Sequence, residues 1–148
     1  TLTLSGCKQL TNIQAISNLQ NLQTLELSWC KQLTSEDIQA IFNLTQLKKL
    51  NLGGCNQLTS EDIQAISNLT QLQTLNLNWC DKLTNIQAIS NLTQLQTLNL
   101  WNCDQLTNIQ AISNLTQLQT LTLSGCKQLS IEDISILQQQ YPNLKINR

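Results

Sequence analysis

The chain has 148 residues, a formal net charge of −1 and only 11% charged side chains. So sparse a charge, with no basic stripe, argues against nucleic acid as a partner. No apolar run approaches the ~18 residues of a membrane span and no signal peptide is visible.

One phrase recurs from end to end. It opens in truncated form as TLTLSGCKQL at Thr1. It returns as LQTLELSWCKQL from Leu22, LKKLNLGGCNQL from Leu47, LQTLNLNWCDKL from Leu72, LQTLNLWNCDQL from Leu95 and LQTLTLSGCKQL from Leu118. The shared frame is L-x-x-L-x-L-x-x-C-x-x-L, and self-similarity at a fixed period predicts a solenoid. The units run 1–21, 22–46, 47–71, 72–94, 95–117 and 118–143, with a terminal strand at 144–148, all within one domain of residues 1–148. Leu alternating with polar residues is the signature of a strand with one buried face. Leu75 and Leu77 are expected to point inward, and Thr74, Asn76 and Asn78 outward. Successive strands then lie side by side in a curved parallel sheet, and its concave face carries the variable positions.

The first unit lacks the opening Leu, which leaves Leu2 and Leu4 at an open end beside an unprotected strand edge. Units two and three are 25 residues long, with returns LTSEDIQAIFNLTQ and LTSEDIQAISNLTQ. Thr34 with Asp37, and Thr59 with Asp62, have capping-box spacing, with Asp in place of the usual Glu or Gln. Each pair predicts a helix start with its acids on the outer face. Ile38, Ile41 and Leu44 then share one helical face, as do Ile63, Ile66 and Leu69. In the next two units LTSEDIQAI shortens to LTNIQAI, which predicts a tighter return of 3₁₀ type. The last unit, SIEDISILQQQYPNLKINR, predicts a longer helix with Ile134 and Leu137 in core phase and Pro142 ending it. Its polar, atypical character suits a terminal cap. On this reading the C-terminus is native. Thr1, in mid-strand of a chain without Met, is expected to begin a mature product or an excised piece of a longer protein.

These motifs resemble the leucine-rich repeat family across essentially the whole chain. The longer units are similar to cysteine-containing repeats found with F-box proteins and in some bacterial effectors. The shorter LTNIQAISNLTQLQTL units are similar to internalin-type bacterial repeats, with Cys where those usually carry Asn. The resemblance implies an α/β solenoid with a parallel concave sheet, short helices or 3₁₀ turns on the convex side, and a role in binding other proteins. No F-box sequence or internalin cap is present, so neither group's particular activity carries over.

Cys7, Cys30, Cys55, Cys80, Cys103 and Cys126 fill one slot of the repeat, 23 or 25 residues apart. They are expected to stack as a buried ladder with rungs ~4.8 Å apart, side chains parallel rather than facing. Buried Cys packs as a small hydrophobe, so reduced thiols are expected, and with them a cytosolic setting. That setting is the host cytosol if the protein is a delivered bacterial effector. With no His and no close-spaced Cys pair, no metal or other cofactor is expected. The acid pairs Glu36–Asp37, Glu61–Asp62 and Glu132–Asp133 sit at helix starts, where capping explains them better than catalysis. No phosphate loop or nucleophile motif is present, and the chain reads as a non-enzyme. Asn43, Asn68, Asn91 and Asn114 each begin a formal glycosylation acceptor, N-L-T, which duplication of one repeat segment also explains.

Function is expected where exposed positions break the repetition. The fifth column reads Thr3, Glu26, Asn51, Asn76, Asn99, Thr122; the seventh reads Ser5, Ser28, Gly53, Asn78, Trp101, Ser124. The eighth reads Gly6, Trp29, Gly54, Trp79, Asn102, Gly125, so every Trp falls in the last two. Trp is enriched among interface hot spots. Strand alternation places Trp101 outward. Trp29 and Trp79 either join it or fold over the sheet edge to cover neighbouring loops. Trp29, Trp79 and Trp101, with Glu26, Lys49, Asn76, Asn78 and Asn99, make up the candidate partner-binding surface. The expected function is a protein-interaction module using the concave face and Trp-bearing rim, set in a bacterial host-interaction protein. The alternatives are an assembly protein that self-associates through its open N-terminal end, and a consensus-like scaffold without a ligand. Irregular Trp placement and mixed unit lengths count against the scaffold.

Overall fold

Leu–x–Leu alternation yields a succession of very short strands. In the computed structural model, which describes residues 1–148, they are β1 (Leu2–Thr3), β2 (Thr24–Glu26), β3 (Lys49–Asn51), β4 (Thr74–Asn76), β5 (Thr97–Asn99), β6 (Thr120–Thr122) and β7 (Lys145–Asn147). Each pairs in parallel with the next, so the chain climbs one rung per unit. Leu25, Leu50, Leu75, Leu98, Leu121 and Ile146 align as successive partners. All but Ile146 are sealed from solvent. A one-residue slip would turn this whole row outward, so burial itself holds the register. The predicted leucine-rich solenoid is the fold observed.

The returns pack opposite the sheet. The second is α1 (Ser35–Gln39), opened by the predicted capping box between Thr34 and Asp37. Four others are 3₁₀ turns, at Gln14–Asn18, Asp62–Asn68, Gln87–Asn91 and Gln110–Asn114. Those of units four and five were expected. There an Asn replaces the missing Thr–Asp cap: Asn85 and Asn108 accept from the N–H of Gln87 and Gln110 at 3.1 and 2.8 Å.

The third return departs from expectation. Thr59 and Asp62 make the same reciprocal bonds as Thr34 and Asp37, yet the segment is 3₁₀ rather than α-helical. Ser60 explains the difference. Its hydroxyl accepts from the N–H groups of Thr84 and Asn85 in the shorter fourth unit, at 2.9 and 3.1 Å, which draws the third return into line with its tighter neighbour.

Nor do all the acids face outward. Asp37 is only 3% exposed. One carboxylate oxygen caps Thr34; the other accepts from the backbone N–H of Ile13 at 3.1 Å, one rung back. Ile13 has no backbone acceptor of its own, so Asp37 fastens the first two rungs together.

The last unit ends in α2 (Ile131–Gln140), with Ile134 and Leu137 buried as predicted. Its outer face is less polar than expected, because Ile131 and Ile136 fall off that buried stripe and are 76% and 56% exposed. No helix is long and apolar enough to cross a membrane.

Five of the six thiols form the expected ladder. Cys30, Cys55, Cys80, Cys103 and Cys126 are buried, and each Sγ donates to a carbonyl of the preceding rung, at 3.0–3.4 Å. Cys7 departs from the prediction: it sits beside the edge strand β1, exposed and with no carbonyl accepting its proton. In native protein near pH 8, a thiol reagent should therefore modify Cys7 quickly and the other five only after denaturation. Intact-mass kinetics would read this directly, and two or more fast equivalents would show that the ladder is open.

Candidate protein-interaction surface

Each of the first six strands leaves the sheet through the same tight turn. The N–H of the ninth residue returns to the sixth carbonyl: Cys30 to Leu27 at 3.2 Å, Cys55 to Leu52 at 3.1 Å, Cys80 to Leu77 at 3.2 Å. The eighth residue is left-handed throughout, with φ of +74° at Gly6 and Gly54, +78° at Gly125, +63° at Trp29, +57° at Trp79 and +56° at Asn102. This is the pattern of a type II turn, whose third position favours Gly or Asn. Gly and Asn occupy four of the six copies. The other two hold Trp, a bulky residue for which such a conformation is unusual. Rung-to-rung bonds enforce it: the N–H of Trp29 donates to Gly53 at 2.7 Å and that of Trp79 to Trp101 at 2.9 Å.

The three indoles form one ridge along these turns. Trp79 and Trp101 meet edge to face, with centroids 5.5 Å apart. Trp29 reaches Trp79 across the intervening rung, at 6.4 Å. It can do so because Gly54 lies beneath it; a Cβ there would sit 2.5 Å from Cδ2 and Cε3 of the indole. Trp29 and Trp101 remain 43% and 42% exposed, with Trp79 half-buried between them. The Lys31 ammonium stands over the outer Trp29 ring, 5.7 Å from its centroid, within cation–π range. Strand alternation had put Trp101 on the sheet face. The strands stop at the fifth position, so the seventh belongs to the turn and Trp101 stands on the rim.

The Asn residues serve the turns as well as the surface. Asn51, Asn76 and Asn99 are successive partners in one row, continued at one end by Glu26 and at the other by Thr122. Each Oδ1 accepts from the N–H two residues on, in Gly53, Asn78 and Trp101, all at 3.0 Å. Asn78 folds over Gly53. Lys49 is exposed in the row Thr24–Lys49–Thr74, at the opposite end of the strands from the ridge. A groove of about 410 Å³ lies elsewhere, between α2 and the Gln110–Asn114 turn, and no predicted site residue lines it. Gly53, Gly54 and Asn51 stood in the variable columns but not among the candidate residues, and Lys31 escaped the sequence reading altogether. The alternation of Gly, Asn and Trp in the eighth column was the available signal for a left-handed turn.

A parallel sheet gaining one rung per 23 or 25 residues, its Leu ladder facing short helices and 3₁₀ turns, defines a leucine-rich repeat protein. Residues 3–130 match the BspA-type leucine-rich repeat region in six copies, and the chain belongs to that family. Internalin C2 from Listeria monocytogenes is similar at 29% identity and a TM-score of 0.65, over 93% of this chain and 65% of that one. Internalin F from the same organism is similar at 27% identity and a TM-score of 0.55, over 76% of this chain and 38% of that one. The ectodomain of the Arabidopsis receptor kinase HAESA, solved with an N-terminally extended IDA peptide hormone, shares the fold at 22% identity and a TM-score of 0.58, over 81% of this chain and 22% of that one. The chain thus spans less than two-thirds of each of these structures. No curated protein matches it. Proteins of this fold commonly serve as protein-interaction modules rather than enzymes.

Proposed function

We propose that this solenoid seats a protein partner on the Trp29–Trp79–Trp101 ridge and the adjoining Asn row. The observation that carries the reading is the backbone at Trp29 and Trp79, left-handed where other copies of the repeat use Gly or Asn. That conformation costs an L-residue about 1–2 kcal/mol. Backbone strain of this kind collects at ligand clamps and binding sites. A covering role over the loops offers little in return, since Trp29 remains 43% exposed. An aromatic centre flanked by amides also has the composition of an interface. Similarity to the internalins supports a bacterial host-interaction setting, and the reduced thiols support the cytosol as its location.

Trp101→Ala and Trp79→Ala should each weaken partner binding by about 30-fold, the loss typical of a hot-spot Trp. The melting temperature should move by only a few degrees, because a half-exposed ring contributes little to folding. Affinity capture from host-cell lysate with wild type and variants, alongside calorimetry, tests both halves. A variant that captures the same proteins, or that melts far below wild type, would sink the reading.

A further inference from the structure

We infer that the ridge seats a second copy of this chain, antiparallel, about a two-fold axis lying across the third rung. This names an occupant for the surface proposed above and rests on that surface being an interface.

The charges beside the ridge carry the argument. The tenth position of the repeat, two residues beyond the left-handed one, reads Lys8, Lys31, Asn56, Asp81, Asp104 and Lys127. Lys31 over the Trp29 ring shows that this column borders the indoles. Across the first five rungs the signs run plus, plus, neutral, minus, minus, which is antisymmetric about Asn56. A two-fold axis in the contact plane reverses the order of the rungs and keeps each column opposite itself. Placed across the third rung, it sets Lys31 against Asp81 of the second copy and Lys8 against its Asp104, each pair occurring twice. These groups are free to pair. The side chains of Lys8, Lys31 and Asp81 make no ion pair or hydrogen bond within the chain, and Asp104 gives only Oδ2, to Lys127.

Other registers fail. An axis across the fourth rung would oppose Asp81 to Asp81 and Lys31 to Lys127. One between the third and fourth would oppose Lys8 to Lys127. One between the second and third would leave Trp101 and Asp104 with no rung to face.

The indoles obey the same axis. Trp29 and Trp79 stand on the rungs to either side of it, so each meets its counterpart from the other chain, and four rings gather at the centre. Anchors of this kind pair with anchors across an interface. Trp101, 42% exposed, falls opposite Gly6, where a Cβ would meet nothing within 4 Å and the ring has room. The ion pairs then border the aromatic centre as a polar rim. Five rungs span only about 19 Å. So short a contact should dissociate at about 10–100 μM. Dilution therefore frees the ridge, and capture of other proteins is a separate measurement.

Sedimentation velocity over a concentration series tests this on the full chain, as wild type, Lys31→Asp, Asp81→Lys and an equimolar mixture of the two variants. Each variant alone should self-associate about 10–30-fold more weakly, because both Lys31–Asp81 contacts become like-charged. Mixing them should restore wild-type affinity, since the heterodimer regains both opposite pairs; that recovery also shows the variants to be folded. Trp101→Ala should weaken self-association about 30-fold. A wild-type monomer up to about 1 mM, charge variants that associate as wild type does, or no recovery on mixing would each overturn the inference. If lysate capture still depended on Trp101 in that event, the interaction surface would stand and only the second copy would fall. Capture and self-association both independent of Trp101 would remove both.

Discussion

Raising the pH from about 9 to about 11 should remove several kcal/mol from the stability of this protein, enough to unfold it near room temperature. The cause is the thiol ladder. Burial pushes Cys55 and Cys103 up to about 12 and raises Cys80 well above its ordinary value, with repulsion between neighbouring thiolates adding to the effect. In the unfolded chain a thiol ionises near about 8.5. Above that pH the unfolded state releases protons the folded state still holds, so stability falls as pH rises. The contribution is fully present below the unfolded value and is lost as pH climbs through the folded one. Each such thiol removes up to about 1.4 kcal/mol per pH unit, so Cys55 and Cys103 alone over two units reach the lower end of a typical domain's stability, and Cys80 adds in the same direction. Thermal melts followed by circular dichroism from neutral to alkaline pH would show the slope. Cys80→Ala should flatten it, at the cost of a lower melting temperature near neutrality from the small cavity it leaves. A melting temperature unchanged up to about pH 10.5 would mean that the rungs open locally to ionise.

Period and register were legible because they rest on single residues repeated in one slot. Leu25, Leu50, Leu75, Leu98 and Leu121 stand in one column of the text and one row of the sheet. The misreadings lie where one rung depends on the next. Asp37 looked like a local cap, but its second oxygen serves Ile13 on the preceding rung. The third return looked helical until Ser60 was bound to Thr84 and Asn85. Cys7 matched its column, but it belongs to the edge strand's unit, where burial depends on a neighbour as well as on the slot. The ridge was half legible. Exposure marked Trp101, and the pairing of strands four and five placed it beside Trp79. The reach of Trp29 over Gly54 required the eighth column to be read as a backbone conformation, with Gly and Asn as its ordinary occupants.

That reach can be isolated with a matched pair of glycine substitutions. Gly6 and Gly54 share a φ of +74°, but a Cβ on Gly6 would meet nothing within 4 Å, whereas one on Gly54 would strike the Trp29 indole at 2.5 Å. Each change to Ala carries the left-handed cost of about 1–2 kcal/mol, offset in part by the reduced freedom of the unfolded chain. Only Gly54→Ala must also move a ring. Trp29 is half-exposed, so its indole can swing outward rather than force the backbone apart. The further loss in stability should therefore be modest, about 1 kcal/mol for the surrendered aromatic contact. The loss in order should be large. Near-UV circular dichroism, sensitive to coupled indoles, should weaken in Gly54→Ala and persist in Gly6→Ala. Partner binding should follow the dichroism rather than the melting temperature, because the ridge would keep Trp79 with Trp101 and lose Trp29. If Gly54→Ala preserves both the near-UV spectrum and partner affinity, Trp29 is a bystander and the contact surface reduces to the Trp79–Trp101 pair.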